Sequence, residues 1–228
     1  MVKKFATNSL LLLSFVQFCA SAAVIVWDNG GPSATLANGT ALTEFQSAQD
    51  FILGSTTDLT SVTFWNLEPG PPPAGDYNGS IFWEIRNNNA GAPTGSVLGS
   101  GTIAPTRTAA GTLSGLAQFQ NDFTISINGV TAGTYWLTLH NGPLGNTGPL
   151  IDFYWTWADL NVTNTPTFRG QDSDLVGGGG YLTNGQEHAF NISGNVVVPS
   201  GVPEPATMAV AGAGLAALAF FRARKSNN

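Results

Sequence analysis

Cysteine and basic residues are scarce in this chain. Its only cysteine is Cys19, so disulfides and zinc sites built on thiolates are excluded from everything that follows it. Five of the eight Lys and Arg residues lie near the two termini, which leaves Arg86, Arg107 and Arg169 to face fourteen Asp and Glu. The exported part, which lies between these basic termini, therefore carries a formal charge near −11. Because a nucleic-acid partner needs a basic face to neutralise phosphates, that class of function is excluded.

Signatures of catalysis are also scarce. The central part has no Gly-x-Ser-x-Gly elbow, and its two histidines, His140 and His188, lack a metal-binding spacing. We expect both histidines to be turn or surface residues near strand ends. A glycosidase needs two carboxyl groups, and Glu84, Asp152 and Asp159 are the candidates on or near predicted strands. The alternation around Glu84 favours a solvated face, so the sequence predicts no catalytic residue and no enzyme.

The first 22 residues show the three parts of a secretory signal peptide. Lys3 and Lys4 precede an apolar run over 10–18, and the small residues Ala20 and Ala22 follow it. A basic region, a short apolar region and an A-x-A exit are typical of a cleavable export signal. The pattern predicts a signal helix with cleavage after Ala22 or one residue later. The apolar run is too short for a membrane span, which needs roughly 20 residues.

The C-terminal segment has a second three-part pattern. An apolar stretch over 206–221 and a basic tail over 222–228 follow the motif Val202, Pro203, Glu204 and Pro205. The prolines favour an extended, exposed motif because each lacks an N–H and restricts its predecessor. As a helix the stretch would span roughly 24 Å at about 1.5 Å per residue, close to the hydrocarbon core of about 30 Å. A transmembrane helix with a cytoplasmic basic tail is therefore predicted.

This tail resembles the PEP-CTERM sorting signal, also catalogued as the ice-binding-protein C-terminal domain. The resemblance covers Val202 to about Lys225, with motif, span and basic cluster in the family's order. It implies processing near Glu204 by an exosortase, a membrane-embedded cysteine transpeptidase of exopolysaccharide-making Gram-negative bacteria. It also implies inner-membrane anchoring before processing, followed by the cell surface or the extracellular matrix. The alternative is a plain single-pass anchor, and the ice-binding label does not predict that the body binds ice.

Residues 23–198 are predicted to form one all-β domain, an antiparallel, jelly-roll-like β-sandwich joined to the motif by a linker over 199–205. Runs with a period of two alternate with turn residues, which is typical of short antiparallel strands. The alternation predicts one buried and one solvated face for each strand. Loops are expected over 69–75 and 177–180. The nine predicted strands cover 24–27, 51–53, 59–65, 81–86, 97–103, 119–127, 135–140, 151–157 and 189–198.

A second resemblance runs through this domain. The segments 59–65, 82–85, 132–142, 153–155 and 189–190 are similar to a recurring group of PEP-CTERM proteins. Together with the tail the likeness spans most of the chain. The group has no assigned activity, so the resemblance implies a fold and a cellular location but no catalytic activity. The same positions also fit core strands and turns.

Two sets of residues indicate binding. Aromatic faces stack on sugar rings, which makes Trp65, Trp136, Trp155 and Trp157 candidate glycan contacts, with core filling as the alternative. Calcium prefers several oxygen ligands from a flexible loop. Asp172 and Asp174, ahead of the glycine-rich segment 177–180, are weak candidate calcium ligands, with an ordinary polar loop as the alternative.

The leading prediction is an exported, non-enzymatic adhesive or structural protein of the cell envelope or extracellular matrix. Its expected partners are an exosortase, the membrane and exopolysaccharide. The alternative is a carbohydrate-binding module that uses exposed tryptophans, assisted by calcium. A glycoside hydrolase or lyase is the third hypothesis. No cofactor other than calcium is expected.

Overall fold

The structure is a computed structural model that describes residues 23–34, 39–70, 76–145, 152–158, 171–174, 180–183, 186–198 and 213. These residues form two antiparallel sheets, which confirms the all-β, antiparallel prediction. The finer jelly-roll description stays a prediction. The strands are β1 Val24–Asp28, β2 Gly39–Ala41, β3 Phe45–Leu53, β4 Thr57–Pro69, β5 Ile81–Asn87, β6 Val97–Ile103, β7 Thr106–Leu113, β8 Leu116–Val130, β9 Gly133–Asn141, β10 Tyr154–Thr156, β11 Gln171–Asp174, β12 Tyr181–Thr183 and β13 Phe190–Val196.

The first sheet is built around β4. Strand β8 pairs along one edge of β4, and β7 continues the sheet beyond β8. The other edge of β4 is shared, because β13 pairs with its first part and β10 with its last part. Strand β1 extends the sheet beyond β13, and β2 extends it beyond β10. Strand β4 therefore pairs with three strands of this sheet, β8, β10 and β13.

The second sheet has the order β12-β11-β3-β9-β5-β6. Leu53 pairs with Gly133 at one end of β3 and β9, while in the first sheet Thr57 pairs with both Val130 and Val196. The connection over 131–132 joins Val130 to Gly133, so these residues lie at one end of the sandwich. We call it the terminal end, because β1 begins and β13 ends there. The opposite end is called the distal end.

The core lies between the two sheets. Val62 and Phe64 on β4 point inward, and the intervening Thr63 and Trp65 point outward, as the alternation predicts. Each fully buried aliphatic or aromatic side chain stabilises the fold by about 1.5–3 kcal/mol relative to an exposed one. The rest of the core cluster comprises Trp27, Leu42, Phe51, Leu53, Leu59, Ile81, Trp83, Ile85, Phe123, Ile125, Ile127, Val130, Tyr135, Leu137, Leu139, Phe153, Trp155, Phe190 and Ile192.

The central strands of the second sheet are buried on both faces, which the sequence did not predict. Strand β9 is buried from Tyr135 to Asn141, and Gln46 and Asp50 of β3 are buried as well. The expectation of one solvated face per strand is therefore wrong for this sheet. Polar side chains on the outer face tolerate burial where they hydrogen-bond to one another, as Gln46 does to Glu84.

Four described strands were absent from the prediction, namely β2, β7, β11 and β12. Strand β7 consists mainly of Thr, Ala and Gly, which give no apolar alternation. It forms because a two-residue turn pairs it with β8. Ser114 and Gly115 have φ values of 52° and 85°, and positive φ at both central residues is typical of a tight hairpin turn.

Several predicted segments lie outside the described residues. They are the signal helix over 1–22, the linker over 199–205, the transmembrane helix over 206–221 apart from Ala213, and the basic tail over 222–228. Within the part of the chain that the structure describes, there is no helix long and apolar enough to cross a membrane.

Candidate functional site

A row of polar side chains crosses the outer face of the first sheet. The strand register places five residues side by side, and each is exposed or half-buried. Adjacent strands lie about 4.7–4.9 Å apart, so the row presents hydrogen-bonding groups at a regular spacing. In order across the sheet these residues are Asp28, Asn191, Thr63, Asp122 and Thr106.

The Asp122 carboxylate is the fixed centre of this row. The Thr63 hydroxyl donates to its Oδ1 at 2.6 Å, and Nε2 of Gln120 donates to its Oδ2 at 2.9 Å. Two donors from two strands hold the carboxylate in one orientation. A carboxylate accepts more hydrogen bonds than these two, so Asp122 can still accept from a ligand.

Trp65 lies beside this centre. It pairs with Gln120 across the strands, on the same outer face as Thr63, and its ring is half-buried. An open depression of about 310 Å³ lies at Thr63 and Asp122, lined also by Ser61, Thr106 and Thr124 among others. An aromatic ring next to fixed hydrogen-bonding groups suits a ligand that carries both C–H faces and hydroxyl groups.

The four candidate tryptophans separate by burial. Trp136 and Trp155 are both 0% exposed, so neither has surface available for stacking on a sugar ring. Their ring N–H groups donate to Asn88 at 3.0 Å and to the backbone carbonyl of Ala189 at 3.0 Å. Both tryptophans are interior residues, which corrects the expectation that they could contact a glycan. Trp65 and the half-buried Trp157 remain as candidates.

Both histidines are fully buried, which corrects the expectation of turn or surface positions. Burial lowers the pKa of His188 to about 3 and also lowers the pKa of His140, so both rings are neutral at pH 7. The ring of His188 packs against Trp155 with centroids 4.6 Å apart. Nδ1 of His140 lies 3.2 Å from the carbonyl of Gly142. The two rings have different neighbours and do not form a pair.

Glu84 is buried rather than solvated, with a relative exposure of 6%. The expected solvated position is therefore wrong. Its Oε2 accepts from Nε of Arg86 at 2.7 Å and from Nε2 of Gln46 at 3.1 Å. Tyr181 lies near this group, and burial raises its pKa to about 12. The second sheet thus holds Glu84 as an ion-paired, hydrogen-bonded carboxylate.

The other carboxyl candidates lie apart from Glu84. The Tyr154 hydroxyl donates to Oδ1 of Asp152 at 2.6 Å, and this hydrogen bond, with burial, raises the pKa of Tyr154 to about 12. Asp152 precedes β10 at the distal end, whereas Glu84 lies on the outer face of the second sheet. Asp159 lies outside the described residues. No pair suited to a glycosidase is formed by Glu84 and Asp152.

The candidate calcium ligands belong to a strand. Asp172 and Asp174 lie in β11, whose backbone pairs with β3 and β12, so the expectation of a loop at these two positions is wrong. The glycine-rich segment lies outside the described residues except for Gly180. Among the residues that the structure describes, no group of three or more His, Cys, Asp or Glu could hold a metal ion.

A charged cluster at the distal end was missed by the sequence analysis. Glu68 is fully buried and forms an ion pair with Arg107. The Arg107 guanidinium lies 4.3 Å from the ring centroid of Tyr77 and 4.2 Å from that of Phe119. Nδ2 of Asn66 donates to Glu68 at 2.8 Å. The signal was present, because positions 66 and 68 continue the inward alternation of 62 and 64.

The C-terminal segment of the chain is similar to a known sorting signal. A family model described as the PEP-CTERM protein-sorting motif matches residues 201–225. The chain carries a PEP-CTERM sorting motif. This motif implies an exported protein that an exosortase processes, and the all-β body precedes it. Val202, Pro203, Glu204 and Pro205 fall within the matched motif but lie outside the described residues, as do Ala20 and Ala22 of the predicted cleavage site. No curated protein that was compared with the chain matches it.

Proposed function

We propose that this protein is a non-enzymatic adhesive or structural component of the cell envelope or extracellular matrix. The observation that carries the proposal is the position of the PEP-CTERM motif. It begins at residue 201, and β13, the last strand of the body, ends at Val196. The compact β body therefore connects to the sorting segment through only a few residues. Such a layout suits a body that exosortase processing delivers to the surface as a unit.

The two terminal segments of the chain would export and anchor the body. The signal peptide over 1–22 directs translocation, and the apolar stretch over 206–221 holds the chain in the inner membrane before processing. The body then stays at the cell surface or enters a matrix rich in exopolysaccharide. Its net negative charge favours solubility and hydration outside the cell.

Processing tests the sorting part of the proposal. The variant Glu204→Gln should accumulate as an unprocessed membrane-bound chain in a host with an active exosortase. Glu44→Gln is the matched control, because it makes the same chemical change at an exposed glutamate of the body. Intact-mass measurement of the surface and membrane fractions gives the cut sites. Identical masses and locations for both variants and the parent would contradict exosortase sorting.

Cell cohesion tests the adhesive part. Deletion of the whole chain should reduce cell aggregation or matrix retention, and restoration of the parent chain should reverse the loss. A deletion strain with unchanged cohesion and unchanged matrix would reject this role even if sorting is normal.

A carbohydrate-binding module is the second candidate function. The observation in its favour is the outer face of the first sheet, which Trp65 shares with the oriented Asp122 carboxylate. Asp122→Asn should weaken binding to an exopolysaccharide about tenfold or more. Asp58→Asn, which makes the same chemical change at an aspartate of β4, serves as the control. Equal binding by both variants, or no binding by the parent with or without calcium, would reject this function.

Incubation of the protein with the same exopolysaccharide also tests the hypothesis of a glycoside hydrolase or lyase. Release of reducing ends by the parent, with loss of that release in Glu84→Gln, would overturn the non-enzymatic proposal. We expect no release.

A further inference from the structure

Exposed large apolar side chains are concentrated at the terminal end of the body. β1 begins with two of them, and the segment that leaves β13 has three more. Two others open β6 in the second sheet. Each is more than a third exposed. We call this set the valine patch; it consists of Val24, Ile25, Val97, Leu98 and Val196–Val198.

The strand register places the valine patch at one end of the sandwich, where β1 lies against β3 and β6 against β8. Val24 pairs with Gly194, two residues before Val196. Val97 pairs with Arg86, at the end of β5 that lies beside the start of β9. Both sheets thus contribute to the same end. Elsewhere in the described residues, the exposed large apolar side chains are Leu144 and Leu182.

Charged residues are few at the terminal end, where the exposed apolar side chains are concentrated. The connections at the terminal end, residues 54–56, 88–96 and 131–132, contain no charged residue, and no acidic residue lies between Glu84 and Asp122. One acid, Asp58, lies nearby, and its carboxylate accepts from the backbone N–H of Gly129 at 2.6 Å. Arg86, which is ion-paired with Glu84, lies at this end as well. Among the described residues, the few charges and many exposed apolar side chains of this end contrast with the strong net negative charge of the body.

Four acidic groups lie at the distal end. Glu44, Asp76 and Asp152 are close enough to Tyr154 to help raise the pKa of its hydroxyl, after the hydrogen bond to Asp152 and burial. Glu68 lies buried at the same end. Charged groups resist transfer to an apolar surface because they lose hydration. The body is therefore polarised, with one end suited to water and the other to an apolar surface.

The predicted signal peptide and the predicted membrane anchor both attach at the terminal end. The signal peptide ends just before β1, and the residues between Val198 and Ala206 form the only link to the apolar stretch. An extended chain covers at most about 3.3–3.6 Å per residue, so this link holds Val198 within roughly 28 Å of the apolar stretch. This short link therefore keeps the end of the body that carries the valine patch close to the lipid.

We propose that the valine patch seats the body on the membrane surface while the chain is anchored, with the acidic distal end directed away from the lipid. The partner is a zwitterionic phospholipid surface, since the acidic body would be repelled by anionic lipids. The apolar side chains would enter the boundary between headgroups and acyl chains. This inference rests on the proposed function, because anchoring by the tail brings the body to the membrane.

Fluorescence quenching in reconstituted vesicles tests the seating. The full chain, with Cys19→Ser, receives a single bimane label at Leu98→Cys or at Leu144→Cys and is placed in phosphatidylcholine vesicles with nitroxide-labelled headgroups. Leu98 and Leu144 are similarly exposed, at 37% and 46%. The predicted anchor follows β13 in the first sheet, whereas Leu98 belongs to the second sheet. Quenching at Leu98 therefore reports that the whole terminal end contacts the membrane, and not only the part next to the anchor. We expect quenching at Leu98 to be several-fold stronger than at Leu144.

A second comparison perturbs the patch itself. Val24→Asp with Val197→Asp should reduce quenching of the Leu98 label to the Leu144 level, whereas Leu144→Asp with Leu182→Asp should leave it unchanged. Circular dichroism establishes that each variant is folded. Equal quenching at Leu98 and Leu144 in vesicles that carry the protein through flotation would overturn the seating and leave anchoring intact. A chain that does not float with the vesicles would instead reject the anchoring on which the seating rests.

Discussion

Nδ1 of His188 lies 3.1 Å from Oε1 of Gln49, and this contact joins the two sheets across the interior. The backbone N–H of His188 donates to the same oxygen at 3.1 Å, and the Thr40 hydroxyl lies 2.8 Å from Nε2. Because Oε1 can only accept, Nδ1 carries the proton and Nε2 accepts from Thr40. The neutral ring therefore has a partner at each nitrogen, and protonation at Nε2 would require the Thr40 hydroxyl to turn and accept instead of donating.

His188 should make the fold sensitive to acid. Its pKa is lowered by burial from 6.5 to about 3, so between these values the unfolded chain binds a proton that the folded chain does not. The stability due to the neutral ring is complete above pH 6.5 and is lost as the pH falls. The expected slope is about 1.4 kcal/mol per pH unit inside the window. Urea unfolding at several pH values measures it.

The variant His188→Asn isolates this contribution. Its free energy of unfolding should be lower at pH 7 because a buried ring is lost, but the acid slope should decrease by about 1.4 kcal/mol per pH unit relative to the parent. Equal slopes in both proteins would show that His188 titrates normally in the folded state.

Arg107 should matter more at neutral pH than in acid. It pairs with the fully buried Glu68, whose pKa is raised by burial against the lowering effects of Asn66 and Arg107. Arg107→Met would leave a buried carboxylate without its cation, which typically costs about 3–5 kcal/mol. At acidic pH Glu68 is protonated, so the cost should decrease. Thermal or urea unfolding of the variant at pH 7 and pH 4.5 gives both values.

A double variant checks that Glu68 causes the pH effect. Adding Glu68→Gln to Arg107→Met should make the loss nearly independent of pH, because no buried carboxyl remains to ionise. The same pH dependence in the single and double variants would place its origin elsewhere.

The sequence predicted the first sheet better than the second. In β4 and β8, apolar and polar residues alternate as they do in a sheet with one solvated face, so Val62, Phe64 and Trp65 were assigned to their correct sides. In β9 the residues Trp136 and His140 occupy the outer positions that alternation makes solvated, yet both are buried. A one-dimensional pattern contains side-chain polarity but no information about what covers a face.

The candidate site, too, could be predicted only in part from the pattern of single strands. Trp65 and its outward direction were predicted from β4 alone. Its neighbours Gln120 and Asp122 come from β8, and their positions depend on the register between two strands that are far apart in the sequence. Likewise, the pairing of Glu68 with Arg107 depends on β7, a strand without apolar alternation. Cross-strand contacts of this kind need the topology first.

Gly194 should be intolerant of a side chain. A Cβ at this position would lie 2.5 Å from the backbone carbonyl oxygen of Asp58, and backbone atoms on a paired strand cannot move aside easily. Gly194→Ala should therefore lower the free energy of unfolding by about 1–3 kcal/mol. Gly54→Ala is the control, since nothing lies within 4 Å of its Cβ. It should be neutral or more stable by about 0.4–1 kcal/mol. Equal effects on the urea midpoint would contradict the close approach.

We expect Trp155 to contribute mainly to stability and Trp65 mainly to binding. Trp155 is fully buried and packs against Phe64, His188 and Phe190, so Trp155→Ala should cost about 3–5 kcal/mol of unfolding free energy.

Trp65 is half-buried on the outer face, so Trp65→Ala should cost clearly less, because less of its ring leaves an apolar environment. If the outer face binds glycans, Trp65→Ala should also abolish retention on a polysaccharide column at a temperature where it is folded. Retention of Trp65→Ala equal to that of the parent would separate this ring from any glycan contact and leave only its packing.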